Sequence, residues 1–298
     1  MTHPLLDFGF DRVRIVEVGP RDGLQNQPRV LPTEQKLELV ARLFQAGLED
    51  VEVTSFVRPD RVPQLADADE LMRRAIGLGP RAIALVANRR GLDRALAADA
   101  QAISLIAAAS EGFSRANTGR SVAEGLAELR ELAKAAKEQG LWVRGYVSTC
   151  FHCPYDGPVA PARALSALDA VAEAGVDEVV VSDTLGDADP AQVVALCEPM
   201  LRSVGPDRLA LHLHDTQEMA VANVLVALQL GVRNFDGSIG GLGGCPFAPG
   251  ARGNVATEKV VRLCERLGLT TGVDLEKLDV AKRVLGCRSS PTVEQAQP

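Results

Sequence analysis

The chain has 298 residues, 46% of them hydrophobic, with a formal net charge of −7 and a pI near 5.3. That balance argues against a nucleic-acid partner or an anionic membrane surface, while leaving room for a local basic pocket that takes a phosphorylated ligand. No run reaches the roughly 18 apolar residues of a membrane span, and the opening MTHPLLDFGF has neither a basic leader nor a long apolar stretch.

In chain order, eight short β-branched runs read as strands: residues 13–18, 50–56, 81–87, 102–108, 141–148, 176–183, 208–214 and 232–239. Helical spacing fills many of the gaps. Leu37, Val40, Ala41 and Phe44 share one face before a stop at Gly47. Pro161 opens a helix with Leu165, Leu168 and Ala172 on one side and Gly175 behind it. Val221, Val224, Leu225 and Leu228 repeat the pattern before Gly231. Eight strands alternating with helices predict a parallel sheet closed as an α/β (β/α)8 TIM barrel. An open doubly wound sheet is the alternative, but no Gly-rich dinucleotide fingerprint follows the first strand. The expected organisation is one catalytic domain over 1–298. Its core covers about 10–285, with a short C-terminal helical extension and a polar tail from about 288.

Cys150, Cys153, Cys197, Cys245, Cys264 and Cys287 are scattered, several within helical patterns, so a reducing compartment and a cytoplasmic protein are expected. The lone C-x-x-C of TCFHCPYD has no second pair beside it. A lining role at the barrel mouth suits it better than zinc or redox chemistry.

Two of only four histidines, His212 and His214, stand at i and i+2 at the end of the seventh strand. They therefore project from the same face, at the carboxyl end where barrels of this kind keep their chemistry. Two hydrogen-bonded core histidines would look the same in isolation, so further donors are needed. The first strand ends in VEVGPRDGLQNQ, where Asp22 offers a carboxylate and Arg21 a permanent cation with five donors. As a lone triplet R-D-G is an ordinary turn; its place opposite the histidine pair raises its value. After the eighth strand, GGLGGCPFAPGARGN is too rich in glycine to be regular and lacks a G-K-[ST] signature. It reads as a lid carrying Cys245, a proton donor or acceptor, and Asn254, a neutral oxygen donor. Asp22, His212, His214 and Asn254 form a mixed O/N set that suits Mg²⁺ or Mn²⁺, with zinc as the alternative. Glu52 and Asp183 end strands two and six and serve either the substrate or the ligand shell, or simply as capping or ion-paired groups.

The blocks VEVGPRDGLQN, TSFV, AASEGFS, RGYVS, CPYDG, HLHDT, GGLGGCPFAPGARGN and ATE, in this order from about residue 10 to 285, resemble the 3-hydroxy-3-methylglutaryl-CoA lyase family. That family belongs to the DRE-TIM group of metal-dependent aldolase and Claisen-type barrels. The resemblance implies a metal held by Asp22, His212, His214 and Asn254. It implies catalytic roles for Arg21 and Cys245, with Glu52 and Asp183 as the acids of strands two and six. It also implies retro-Claisen cleavage of (S)-3-hydroxy-3-methylglutaryl-CoA to acetyl-CoA and acetoacetate, as in leucine degradation. In that reaction Asp183, Glu52 or a histidine such as His212 takes the hydroxyl proton, Arg21 stabilises the enolate and Cys245 returns a proton. The expected partner is a small acyl-CoA; a homodimer is compatible with the sequence, which does not fix the oligomeric state.

Two stretches depart from the family pattern. Gln217-Glu218-Met219 stands where Tyr-Gly-Gln is common, and Gln27-Pro28 where some relatives carry a basic residue. These keep open a sibling lyase for citramalyl-CoA or a longer 3-substituted glutaryl-CoA. More distant alternatives are a condensing synthase of the 2-isopropylmalate or homocitrate type and a non-catalytic acyl-CoA sensor.

Overall fold

A computed structural model describes residues 7–244 and 253–286. The β-branched runs become β1 (Arg14–Glu17), β2 (Asp50–Ser55), β3 (Arg81–Leu85), β4 (Ala102–Ala108), β5 (Trp142–Ser148), β6 (Glu178–Asp183), β7 (Leu209–Leu213) and β8 (Asn234–Gly237). They pair only in parallel, in the spatial order β1-β8-β7-β6-β5-β4-β3-β2, and the ring closes between β1 and β2. This is the (β/α)8 barrel expected from the alternation. The strands are buried on both faces, which is why they read as near-continuous apolar runs rather than as alternating ones.

The helices are α1 (Thr33–Gln45), α2 (Ala68–Ala75), α3 (Arg89–Ala97), α4 (Glu111–Thr118), α5 (Val122–Glu138), α6 (Pro161–Glu173), α7 (Pro190–Val204), α8 (Ala220–Leu230), α9 (Thr257–Arg266) and α10 (Leu275–Val284). Their starts follow local chemistry. Ser121 with Glu124, and Asp189 with Gln192, close reciprocal capping boxes at α5 and α7. Proline stands at the first turn of α6 and α7, where its missing N–H costs nothing. The extension α10 lies along α1, and Gly47 makes the fit: at φ 95°, a Cβ there would sit 2.1 Å from the Gly272 carbonyl oxygen.

Most strands are a residue or two shorter than the sequence expectation, and three of these boundaries have a clear hydrogen-bonding reason. Val13 donates to Thr270 O (2.9 Å) and so belongs to the pairing of the two chain ends rather than to β1. Val18 C=O accepts from Asp22 N (2.8 Å) and Gly23 N (3.2 Å), closing a turn instead of extending the strand. Val232 N caps α8 through Ala227 O, which delays β8 by two residues. The C-x-x-C segment forms a small antiparallel hairpin of His152–Cys153 and Gly157–Pro158.

Apolar side chains fill the layer between strands and helices, and the barrel lumen carries a column of charged side chains between two small apolar clusters. At its amino-terminal floor Asp50 binds Arg14 (2.9 Å) and Arg81 (2.7 Å), and Arg81 stacks on Trp142 at 4.4 Å. Glu178 pairs with Arg14 and, at 2.9 Å, with Arg144. Arg144 donates to Asp236 (2.8 Å), and Asp236 reaches His212 (3.0 Å). Opposite charges thus alternate up the axis from the floor to the mouth. Such buried pairs add little net stability, but removing one partner typically costs about 3–5 kcal/mol by stranding the other.

Candidate active site and metal centre

Gly19–Gly23 leaves β1 as one π-helical turn, and all five residues are buried. Wide turns of this kind often mark functional sites. This one turns consecutive side chains, Arg21 and Asp22, into the carboxyl-terminal mouth. Across it, β7 delivers His212 and His214 from one face, their ring centroids 5.3 Å apart. Asp22, His212 and His214 bring one ligand atom each to within 4.8 Å of one another, all three buried. His214 Nε2 lies 3.7 Å from Asp22 Oδ2. Asn254 joins them: its backbone bridges His214, and its amide Nδ2 donates to Asp22 Oδ2 at 2.7 Å. The Asn254 Oδ1 and His214 Nδ1 atoms are buried without a hydrogen-bond partner. Buried polar atoms are rarely left so. Two imidazoles, a carboxylate and a partnerless amide oxygen fit a divalent cation.

Electrostatics keep the Asp22 carboxylate in its ligating form. Burial alone would raise the Asp22 carboxyl, but Arg21 and both histidines outweigh it and hold the group far below the usual carboxylate range. Burial likewise works against the charge of Arg21, yet Glu52 and Asp22 raise its pKa above the ordinary value. Its guanidinium donates through Nε to Glu52 (2.5 Å) and through Nη1 to Asp22 (2.5 Å), and it lies 5.7 Å from the Tyr146 ring. The Nη2 group has no partner among the described residues and remains available to a substrate oxygen. Glu52 also accepts from Ser104, so both its oxygens are engaged.

Asp183 ends β6, but its side chain has no hydrogen bond or ion pair to the ion donors among the described residues. Its carboxylate accepts from the backbone N–H of Gly186 (3.0 Å), Asp187 (3.4 Å) and Ala188 (3.0 Å), folding the loop after β6 onto the histidine strand. The contact is tight: a Cβ on Gly186, at φ 71°, would meet the His214 carbonyl carbon at 2.7 Å. The C-x-x-C thiols do not reach the cluster either. Cys150 Sγ donates to Val147 O, and Cys153 Sγ accepts from the N–H of Tyr155 and Asp156 inside the hairpin. Cys245 lies outside the described residues.

Three functional side chains escaped the sequence reading. Asp236 Oδ2 holds His212 Nδ1 and accepts from Tyr146 OH (2.8 Å), while its Oδ1 takes Arg144. Burial would raise Asp236, but Arg144 and His212 lower it to about 2. A ligand histidine held through its second nitrogen by a carboxylate is a common way to fix its orientation. The signal was present: Arg144 and Tyr146 stand at i and i+2 in WVRGYVS, and Asp236 interrupts an otherwise buried strand. A charge on a strand covered on both sides needs a partner in the lumen.

Fold and centre together define a barrel whose mouth gathers three side chains of metal-ligating type. The sequence matches the HMGL-like family over residues 12–285. It is 47% identical over 270 residues to the mitochondrial hydroxymethylglutaryl-CoA lyase of Arabidopsis thaliana, covering 90% of this chain and 58% of that relative's length. It is 42% identical to the (R)-citramalyl-CoA lyase of Chloroflexus aurantiacus, over 91% of this chain and 89% of the other. The crystal structure of the Bacillus subtilis HMG-CoA lyase superposes with a TM-score of 0.89 at 41% identity, over 93% of each chain. The chain belongs to the HMGL-like family of carbon–carbon lyases.

Proposed function

We propose that the protein is a divalent-metal-dependent lyase that splits 3-hydroxy-3-methylglutaryl-CoA into acetyl-CoA and acetoacetate. The observation that carries this reading is the meeting of Asp22, His212 and His214 within 4.8 Å, with the Arg21 guanidinium bonded to one of them. A bound Mg²⁺ or Mn²⁺, held by these three and Asn254, supplies Lewis acidity that lowers the pKa of the C3 hydroxyl and orients it.

The protein's own groups meet the remaining demands. The C2–C3 bond breaks, its electron pair passes into the thioester as an enolate, and the hydroxyl carbon becomes a ketone. Arg21 presents Nη2 to the oxygen on which that charge builds. Its charge is fixed, and Glu52 and Asp22 hold it in place before the reaction begins. Glu52 and Asp183 have their oxygens engaged by Arg21 and Ser104 or by loop amides, which suits them to holding those groups. His212 has one ring nitrogen on Asp236 and lends the other to the ion, so the hydroxyl proton passes to a water at the mouth of the barrel. Cys245 on the Gly-rich segment is the proposed donor to the enolate carbon, so that atoms and protons balance at acetyl-CoA. Four buried, free thiols (Cys150, Cys153, Cys197 and Cys264) support a reducing, cytoplasmic setting as part of this proposal.

A second reading is favoured by one segment. Gln217 N donates to Gly186 O (2.9 Å), and Glu218 takes φ 60°, so the departing Gln217-Glu218-Met219 stretch is tied to the loop that packs on the His214 backbone. Such a change there suits a sibling substrate such as citramalyl-CoA. Product assays on the purified protein, stripped with chelator and resupplied with Mg²⁺ or Mn²⁺, decide between them. Preference for hydroxymethylglutaryl-CoA by kcat/KM supports the first reading; preference for another thioester replaces it.

A further inference from the structure

Glu17 is the last residue of β1 and is fully buried. Its carboxyl group does not touch the ion donors. It sits beneath them, at the point where the two segments that carry them converge. Oε1 accepts the backbone N–H of Gly19 (2.8 Å) and of Ile239 (2.8 Å), and Oε2 accepts the Thr257 hydroxyl (2.6 Å). Gly19 opens the turn that carries Arg21 and Asp22. Ile239 is the root of the Gly-rich segment, and Thr257 begins α9 three residues after Asn254. One side chain therefore ties together the element that supplies a carboxylate and the element that supplies an amide.

The surroundings are cut to this clamp. A Cβ on Gly19 would lie 2.6 Å from Glu17 Oε1, and one on Gly237 would lie 2.6 Å from Thr257 Oγ1. One on Gly23 would meet Leu242 Cβ at 2.9 Å and Ser238 Oγ at 3.0 Å. Glycines thus stand wherever the turn and the 237–257 segment press together. Above the clamp, Asn254 Nδ2 meets Asp22 Oδ2 at 2.7 Å, so a shift of either segment would be felt at once in the donor set.

We propose that Glu17 is a positioning residue that fixes the register between the Arg21–Asp22 turn and the Asn254 segment, and so sets the geometry of the cation site. The role in turnover rests on the lyase reading; the role in cation binding does not. What the clamp requires is one acceptor oxygen for two N–H groups and a polar partner for Thr257, not a charge. Glutamine meets that requirement, with Oε1 accepting both N–H groups and Nε2 donating to Thr257 Oγ1. Methionine has similar length and no acceptor, leaving both N–H groups buried and unpaired.

The test measures Mn²⁺ affinity of the metal-stripped full chain, together with kcat and KM on the thioester that it cleaves. Glu17→Met is expected to fold, to lose about 10–100-fold in Mn²⁺ affinity and roughly 100-fold in kcat, with KM within about threefold. Glu17→Gln restores all three values to near wild type. If Glu17→Met does not fold, Thr257→Val decides, with an expected loss of about 3–10-fold in Mn²⁺ affinity for removing one arm of the clamp. Unchanged Mn²⁺ affinity in a folded Glu17→Met, or in Thr257→Val where Glu17→Met fails to fold, overturns the proposal. So does a Glu17→Gln variant as damaged as Glu17→Met. Failure of the lyase reading shows differently, as intact metal effects in a protein that cleaves none of the thioesters.

Discussion

Asp236 Oδ2 lies 3.0 Å from His212 Nδ1 and leaves the opposite ring nitrogen to face Asp22 and His214. The same carboxylate is held by Arg144 and Tyr146, so the ring's orientation is anchored to the charged axis of the barrel. Replacing Asp236 with alanine frees the ring to turn and leaves Arg144 with Glu178 as its ionic partner. The expected result is a loss of about 10–100-fold in divalent-metal affinity, with Asp236→Asn recovering part of it. Calorimetric titration of metal into both variants checks this.

Arg21 touches Asp22 and Glu52 but contributes no ion-binding atom. Arg21→Met should therefore separate catalysis from substrate binding. A drop of roughly 10²–10³ in kcat is expected, with KM changed little. Steady-state kinetics on the variant provide the check. A near wild-type kcat would remove Arg21 from the proposed mechanism.

The three amide contacts of Asp183 predict a graded series. Asp183→Ala leaves buried N–H groups without partners and should destabilise the fold by about 1–3 kcal/mol. It should also lower activity through the displaced His214 backbone. Asp183→Asn keeps one acceptor and should fall between alanine and wild type in both stability and rate. Were Asp183 the proton acceptor instead, asparagine would be as inactive as alanine while remaining well folded. Urea melts and rates measured on the same samples distinguish these cases.

Burial pushes the Glu17 carboxyl up from an ordinary 4.5 to about 8. Between those two values the native chain holds a proton that the unfolded chain has released. Stability from this group is fully present below pH 4.5, declines as pH rises toward 8 and levels off above it. The slope is at most about 1.4 kcal/mol per pH unit. Glu17→Gln removes it, so the wild-type and variant unfolding free energies should nearly coincide at pH 5 and separate in the variant's favour as pH climbs to 8. Parallel curves across that range would contradict the assignment.

The barrel was legible because its strands are covered on both sides and its helices carry their own stop signals, as at Gly47 and Gly231. The donors were legible because H-x-H fixes two side chains on one strand face, and R-D-G follows a strand end. What escaped was everything set by lumen geometry. No local pattern says that Asp236 faces His212 across the β7–β8 seam, or that Glu17 reaches both Gly19 and Thr257. Asp183 shows the opposite limit. Its position at a strand end marked it as an acid of the site, but only the fold reveals that its oxygens are spent on the loop at 186–188.

Four donors from three distant segments are proposed to hold one catalytic divalent cation. Titrating metal-stripped protein with Mn²⁺ while following thioester cleavage tests this most directly. The expected outcome is one ion per chain, activity rising in step with occupancy, and both lost in His214→Ala and Asp22→Ala. Full cleavage by protein held in excess chelator, or undiminished Mn²⁺ binding in both variants, would contradict the account.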